Sequence, residues 1–590
     1  MPAPPGAGGL DRPAAVVFVG AGACAGRPRQ MPENRVMSDR PQATADALRG
    51  RREELRGPFN PSPLALSQPP GRELELKFLA DEKSFAAAQQ WDALGDVGQG
   101  AQPVRLRAVY FDTEARDLEQ HRMSLRVREH RNRHTLTLKW NGNFAGGHFE
   151  RGEVEVPIAS AEPDLTLLGE SLAAEIGHIV EGKHLQPVFE TDIRRLAHRI
   201  RFDGSDIEVD FDDGVIVAGE QQAPAREIEL ELKSGTPAAL YRLGLSLAES
   251  YPVRLGVLNK SDRGAALSSG TQPPVVRTAT TLVPGQSVDD AISTVISSCV
   301  GHFMANWPAH EDGDAAEAVH QMRIAMRRLR SALALFHHEL PGAEFVEFGN
   351  QSRRIASAMG EARNWDVFAE LLEHGPFRAF PDVAGFAELL AASRQPRRAG
   401  HEAVAALLAD PGVTRFVLGL HAFVADRGWR NGATGSEPPR ADEDASLFAA
   451  RNLERLHKRV VKRGRNLREQ TPDERHELRI ELKKLRYAVD AFAGLFPEAS
   501  SARGYIRAAG KLQESLGRAN DMQMAIKLAR RLDTGGDSAA ERAIGMMLGW
   551  CGHGAMSNGA DLRYAWNAFK HTVPFWRGVL PEVALACPAS

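Results

Sequence analysis

Two short stretches decide the fold: ELELK at residues 73–77 and EIELELK at residues 227–233. In both, charge alternates with aliphatic side chains. Glu73, Glu75 and Lys77 flank Leu74 and Leu76; Glu227, Glu229, Glu231 and Lys233 flank Ile228, Leu230 and Leu232. Residues two apart on a strand share a face. Each stretch therefore sets carboxylates and then a lysine on one side, and branched aliphatics on the other. The same period runs through LRVR (125–128), TLTLK (135–139), RGEVEV (151–156) and IEVDFDD (207–213), with Gly, Asn and Asp marking turns between them.

A half-solvated antiparallel sheet with cross-strand ion pairs is the plain reading of any one such strand. The set as a whole predicts something else. Many strands carry charge on one face, the acidic runs end in lysine, and helical stretches such as EKSFAAAQQWDAL and PAALYRLGLSLAES are available to cover the aliphatic faces. A closed barrel turned inside out, with charge within and aliphatics outside under helices, satisfies all of this. Clustered carboxylates suit a hard cation such as Mg²⁺ or Mn²⁺. Arginine and lysine suit phosphate oxygens. An interior holding both suits a metal-bound polyphosphate chain.

The chain has 590 residues, enough for more than one domain. Its net charge of −3 makes any electrostatic argument a local one. Cys24, Cys299, Cys551 and Cys587 are too scattered for a disulfide framework or a thiolate metal site, which suits a reducing compartment. No apolar run reaches the roughly 20 residues that span a bilayer, so no membrane partner is expected. AAVVFVGAGACAG (14–26) could pass for a poor signal peptide, but its basic flank is thin. Residues 1–70 are expected to be a disordered leader, with Met31 and Met37 as alternative starts to Met1.

The strand-rich texture is assigned to residues 71–268 and a linker to residues 269–285. From Val288 onward long amphipathic periods replace alternation, so residues 286–585 are expected to be all helix. GATGSEPPRADEDAS divides this region into copies spanning about 286–434 and 445–585, because HQMRIAMRRLRSA (from His320) returns as HELRIELKKLRYA (from His476). Each copy is followed by a glycine read as a turn, Gly360 and Gly517. His320, Arg323, Arg327 and Arg330 share one helix face, and His476, Arg479, Lys483 and Arg486 repeat it. A basic face is often merely solvated, but its duplication predicts a groove for a long polyanion, with affinity falling as salt rises. Nucleic acid is disfavoured, because the stripes lack interleaved aromatics for base stacking; Tyr487 is the lone aromatic beside them.

The ordered landmarks ELELK, YFDT (from Tyr110), LRVR, TLK, RGEVEV, FETDIRR (from Phe189), FDDG (from Phe211), EIELELK and LNKSDRG (from Leu258) resemble the triphosphate tunnel metalloenzymes, or CYTH domains. The helical half resembles the CHAD domain. The resemblance implies an α+β chain: a closed antiparallel tunnel of about eight strands, then two repeated helical bundles. It implies metal-dependent hydrolysis of inorganic triphosphate, with inorganic polyphosphate held by the helical half. Glu73, Glu75, Glu227, Glu229 and Glu231 become metal ligands. Lys77, Arg126, Arg128, Lys139, Arg151, Arg195, Lys233, Lys260 and Arg263 become phosphate ligands. Glu73, Glu75, Lys77, Glu153, Glu155 and Asp212 form the catalytic set, with Glu75, Glu153 and Glu231 comparable as general base. Both stripes become polyphosphate ligands, and a cytoplasmic protein associated with polyphosphate granules is implied. The alternatives are a non-catalytic polyphosphate binder, or a tunnel enzyme of the thiamine triphosphatase or adenylate cyclase type. One departure stands out: Arg363 is followed by Asn364, where the family often has Arg-Asp, with Asp366 close by.

Overall fold

The computed structural model describes residues 72–95, 102–145, 148–340, 342–431, 440–497, 500–557 and 559–580. The leader expected over residues 1–70 lies outside them, as do the side chains of Glu73 and Arg151. The architecture is α+β: one antiparallel sheet, then helices.

The strands are β1 (Arg72–Leu79), β2 (Val104–Asp112), β3 (Ser124–His130), β4 (Arg133–Ala145), β5 (His148–Ile158), β6 (Gln186–Phe202), β7 (Ser205–Ala218), β8 (Gln221–Pro224), β9 (Glu227–Ser234) and β10 (Arg254–Leu255). Their order is β10-β1-β5-β4-β3-β2-β6-β7-β8. The expectation of about eight strands in a closed barrel needs correction in its count: the sheet has ten strands, and the short β8 and β10 end the path, while β1, β5, β4, β3, β2, β6, β7 and β9 are paired in a ring that returns to β1. Strand β9 stands off that path and pairs with both β1 and β7. The physical reason lies at the margins: Gln221–Pro224 turns back on β7, and Arg254–Leu255 pairs with Phe78 and Leu79, each adding a short strand.

The alternation does what its period requires. Leu76, Phe78, Ile207, Val209, Phe211, Ile228 and Leu230 point away from the charged face and are buried. They are covered by α1 (Pro237–Ser250), through Leu240, Leu243 and Leu247. Thr236 caps this helix by accepting from the Ala239 amide, and Pro237 opens it. Next comes α2 (Lys260–Ser269), fixed by a capping box between Asn259 and Asp262.

The helical region holds α3 (Val288–Met304), α4 (Ala315–His337), α5 (Ala343–Ala358), α6 (Gly360–Leu372), α7 (Phe386–Ala409), α8 (Pro411–Ala425), α9 (Ala445–Arg463), α10 (Pro472–Phe492), α11 (Ser500–Ala529), α12 (Ser538–Ser557) and α13 (Gly559–His571). The two copies of the basic motif lie on α4 and α10, capped by Asp314 and by a Thr471–Glu474 capping box. Gly360 follows Met359 at a break between helices, but Gly517 lies inside α11, so the second expected turn is helix. No single helix among the described residues is long and apolar enough to cross a membrane.

The two regions share one hydrophobic core, which runs from Leu76 and Phe78 through Leu243 to Leu418 and Phe448. Helices α1 and α8 pack together where Gly244 removes a side chain. A Cβ there would stand 2.9 Å from Leu76 and 3.0 Å from Phe78, with Leu418 at 3.6 Å. Tyr241 stacks on His421, the Leu255 amide donates to Thr414, and Arg242 bridges Asp203 and Asp426. The segment between the regions is strapped down. Asn306 exchanges two hydrogen bonds with the Val276 backbone, and the Arg328 guanidinium donates to the Thr278 carbonyl and Thr280 hydroxyl.

Candidate functional site

Strand register assembles the charges. Glu75, Glu231 and Glu208 stand abreast on β1, β9 and β7; Lys77, Glu229 and Asp210 form the next row. Opposite them Arg126 pairs in register with Thr137, which pairs with Glu155, and Lys139 pairs with Glu153. All of these except Asp210 and Thr137 line one cavity of about 250 Å³, which Lys260 closes from the first turn of α2.

Its two sides differ. On the β1–β9–β7 side the ion pairs are short and buried. The Lys77 ammonium donates to Glu75 at 2.6 Å and also to Glu229. Lys260 reaches Asp212 and Glu229 at 2.8 Å and Glu227 at 2.9 Å. Arg195 donates through two nitrogens to Asp212, each at 2.6 Å, to Glu229 at 2.6 Å, and to Asp210. Burial works against the charges of Glu229, Lys260 and Arg195, but their partners prevail. Glu229 is held well below the usual carboxylate range, and Lys260 and Arg195 well above their ordinary values. Asp210 goes the other way. Burial, which Arg195 only partly offsets, pushes its carboxyl up to about 7, and its Oδ1 is buried without a hydrogen-bond partner.

On the β3–β4–β5 side the pairs are looser. Arg126 stands 3.8 Å from Glu153 and 3.6 Å from Glu155, and Arg128 is 3.9 Å from Glu155. Lys139 and Glu153 are closer, at 3.0 Å. Repulsion from Arg126, then burial, lowers Arg128 to about 10. Burial works against Arg126, but Tyr110, Glu153 and Glu155 hold it above its ordinary value, so the shortfall of negative charge on this side falls on Arg128.

The structure thus gathers Glu75, Lys77, Arg126, Arg128, Lys139, Glu153, Glu155, Arg195, Asp212, Glu229, Glu231, Lys233 and Lys260 around one cavity. Glu227 and Arg263 stand just behind it. Glu227 is fully buried and accepts from Arg263 at 2.6 Å. Sequence reading passed over Glu208, Asp210 and Thr137. The first two carried a usable signal, since they alternate with Asp212 in IEVDFDD as the glutamates do in EIELELK.

A hard divalent cation fits the donor chemistry, because every acidic donor here is a carboxylate. Among the described residues, however, no three His, Cys, Asp or Glu side chains converge as a ready metal cage. The carboxylates are turned instead toward Lys77, Arg195 and Lys260, and the unpartnered Asp210 oxygen shows that these cations do not saturate the cluster.

A second site lies between α4, α9 and α10, where a groove of about 550 Å³ is lined by Arg327, Arg330, His476, Arg479 and Lys483. Arg328, Arg455, Arg459 and Lys484 join them. Three residues of the predicted stripes are not part of it. Arg323 donates to the Ala356 carbonyl, and Arg486 lies 3.9 Å from Asp490. His320 is held neutral: burial, then Arg363, lowers it to about 4. Asp366 pairs with Arg397 at 2.7 Å and His401 at 3.0 Å, so it serves α7 and not the groove.

A sheet with an interior of interlocked carboxylates and cations, followed by a helical region with a basic groove, defines a two-domain class of architecture. Residues 71–265 match the CYTH domain family and residues 294–530 the CHAD domain family. The chain carries a CYTH domain followed by a CHAD domain. Over 160 residues it is 34% identical to an inorganic triphosphatase of Haemophilus influenzae, a match covering 27% of this chain and 45% of that protein. An uncharacterized protein of Mycobacterium tuberculosis is 24% identical over 456 residues, 72% of this chain and 83% of that protein. The crystal structure of the CHAD domain from Ricinus communis is 28% identical, covering 52% of this chain and 97% of that one, with a TM-score of 0.43.

Proposed function

We propose that the CYTH domain hydrolyses inorganic triphosphate to diphosphate and phosphate with the help of Mg²⁺ or Mn²⁺, and that the CHAD domain binds inorganic polyphosphate. One observation carries the first part: a single cavity is ringed by lysine and arginine in short ion pairs on one side and by Arg126 and Arg128, at 3.6–3.9 Å from their glutamates, on the other. A chain of phosphates matches that charge pattern, and the identity to an inorganic triphosphatase over the same region supports the choice.

Arg126 and Arg128 are the natural first grips on the phosphate oxygens, because turning to substrate breaks only loose pairs, and Lys139, held by Glu153 at 3.0 Å, stands beside them. Lys77, Arg195 and Lys260 act from the opposite wall as fixed positive charge. Charge spread over peripheral oxygens in phosphoryl transfer is stabilised by such prearranged cations. Glu75, Glu229 and Glu231, with Glu73, would hold the divalent cation, which when bound draws off phosphate charge and lowers the pKa of water. Glu153 and Glu155, once Arg126 and Arg128 turn to phosphate, are free to accept a proton from the attacking water.

A second reading, an organic triphosphate, is favoured by a neighbouring cavity of about 430 Å³. It shares Tyr110, Ser124 and Lys139 with the first and is walled by Phe111, Trp140 and Phe189. The test is phosphate release by the full chain from inorganic triphosphate, ATP and thiamine triphosphate, with and without EDTA. Release from inorganic triphosphate that disappears with EDTA and in Glu75→Gln supports the first reading. Preference for an organic substrate supports the second.

A further inference from the structure

We infer that the CHAD groove is a binding site for an amphiphilic anion: an organic phosphate whose head meets the cations and whose apolar body lies along the floor. The inference goes beyond the polyphosphate reading of the same groove and shares with it only the cationic rim.

Three observations lead there. First, the groove differs from the CYTH cavity in its charge balance: among its described lining residues there is no carboxylate at all. Arg327, Arg459, Arg479 and Lys483 face one another across it, and Nε of Arg479 is buried with no hydrogen-bond partner. Like charges held this close call for an anion. Second, the floor is apolar. Leu335, Leu456, Ala488 and Phe492 belong to the domain core yet form the bottom of the groove, with Cys299 beside them. Third, Ile480 keeps 40% of its surface exposed on the rim, on the same helix as Arg479 and Lys483.

An inorganic polyphosphate satisfies the first observation and ignores the other two. Its oxygens gain nothing from an aliphatic floor, and water would remain there. A ligand with an apolar body displaces that water, and the affinity gained scales with the apolar area covered. About 550 Å³ also falls in the ordinary range of organic-ligand sites, which pair an apolar lining with a few polar groups. The chemical class is therefore a phosphate monoester or anhydride on an aliphatic or aromatic body.

The test is calorimetric titration of the full chain with decyl phosphate, below its micelle concentration, and with methyl phosphate, which carries the same head. Decyl phosphate is expected to bind at least tenfold more tightly, with a negative heat-capacity change. Two variants at exposed lining positions probe the body without touching the cations. Ala334→Trp, which fills the groove, and Ile480→Ser, which removes apolar rim, are each expected to weaken decyl phosphate at least threefold and to leave methyl phosphate within twofold. Equal affinity for the two phosphates, or variants that weaken both alike, overturns the inference. Inorganic polyphosphate titrated into the same proteins separates the two readings. If polyphosphate binds while the decyl preference is absent, the inference falls alone. If the decyl preference is present without polyphosphate binding, only the polyphosphate reading falls.

Discussion

Arg195 donates to Glu229 at 2.6 Å from the strand two places away, while the other oxygen of Glu229 takes Lys77 and Lys260. One carboxylate thus holds three cations from β1, β6 and α2 in a buried cluster. Such a centre ties sheet, helix and charge together, and single changes there act on all three.

Glu229→Gln removes the common partner and leaves Lys77, Arg195 and Lys260 one carboxylate short, with Glu75, Asp212 and Glu227 still beside them. Breaking a buried ion pair from one side costs about 3–5 kcal/mol. The variant is expected to unfold at markedly lower urea than the native chain, and a midpoint unchanged within error would show that the cluster contributes little.

On the looser wall the expectation reverses. Arg126→Ala and Lys139→Ala remove cations held at 3.0–3.8 Å by their glutamates. Stability should change little. Loss of one prearranged charge-stabilising donor lowers kcat on the order of 10²-fold. Steady-state kinetics on inorganic triphosphate, paired with melting curves, checks both halves.

Lys483 gives the helical groove a pH signature. Burial, then Arg327 and Arg479, lowers its ammonium to about 7, with Asp521 opposing and Arg323 adding to the repulsion. The unfolded chain keeps the ordinary value of 10.5. Between these two values the native state binds fewer protons, so this lysine makes stability rise with pH from about 7 to 10.5 and contributes its full penalty below 7. Lys483→Met should raise the melting temperature at pH 7 and not at pH 11. On the proposed reading, phosphate oxygens beside Lys483 would restore its charge, so polyphosphate binding at pH 8.5 should take up protons. Titration in buffers of different ionisation enthalpy measures this, and Lys483→Met should diminish it.

Gly244→Leu tests the shared core. A Cβ at this point already meets Leu76 and Phe78 at about 3 Å, so a larger side chain must separate α1 from the sheet and from Leu418. Overpacking of this kind typically costs about 1–3 kcal/mol. The expected result is a lower melting point and greater protease sensitivity near the junction of the two regions, with no change in the cavity residues themselves.

Much of this protein was legible in its sequence, because the relevant periods are local. A spacing of two forces Glu227, Glu229 and Glu231 onto one face of β9 and sends Ile228 and Leu230 to the other. Spacings of three and four do the same for the basic stripes of α4 and α10. Caps at Asn259, Asp314 and Thr471 set where their helices begin, again through contacts within one turn. Tertiary structure alone decided the rest. Strand pairing, not alternation, put Glu75, Glu231 and Glu208 abreast. The crossing of three helices brought Arg327 and Lys483 to one groove, while a backbone carbonyl claimed Arg323. The physical reason is range: side-chain direction follows from the few dihedral angles nearby, whereas a charge's partner depends on which distant segments the packing of the core brings within a few ångströms.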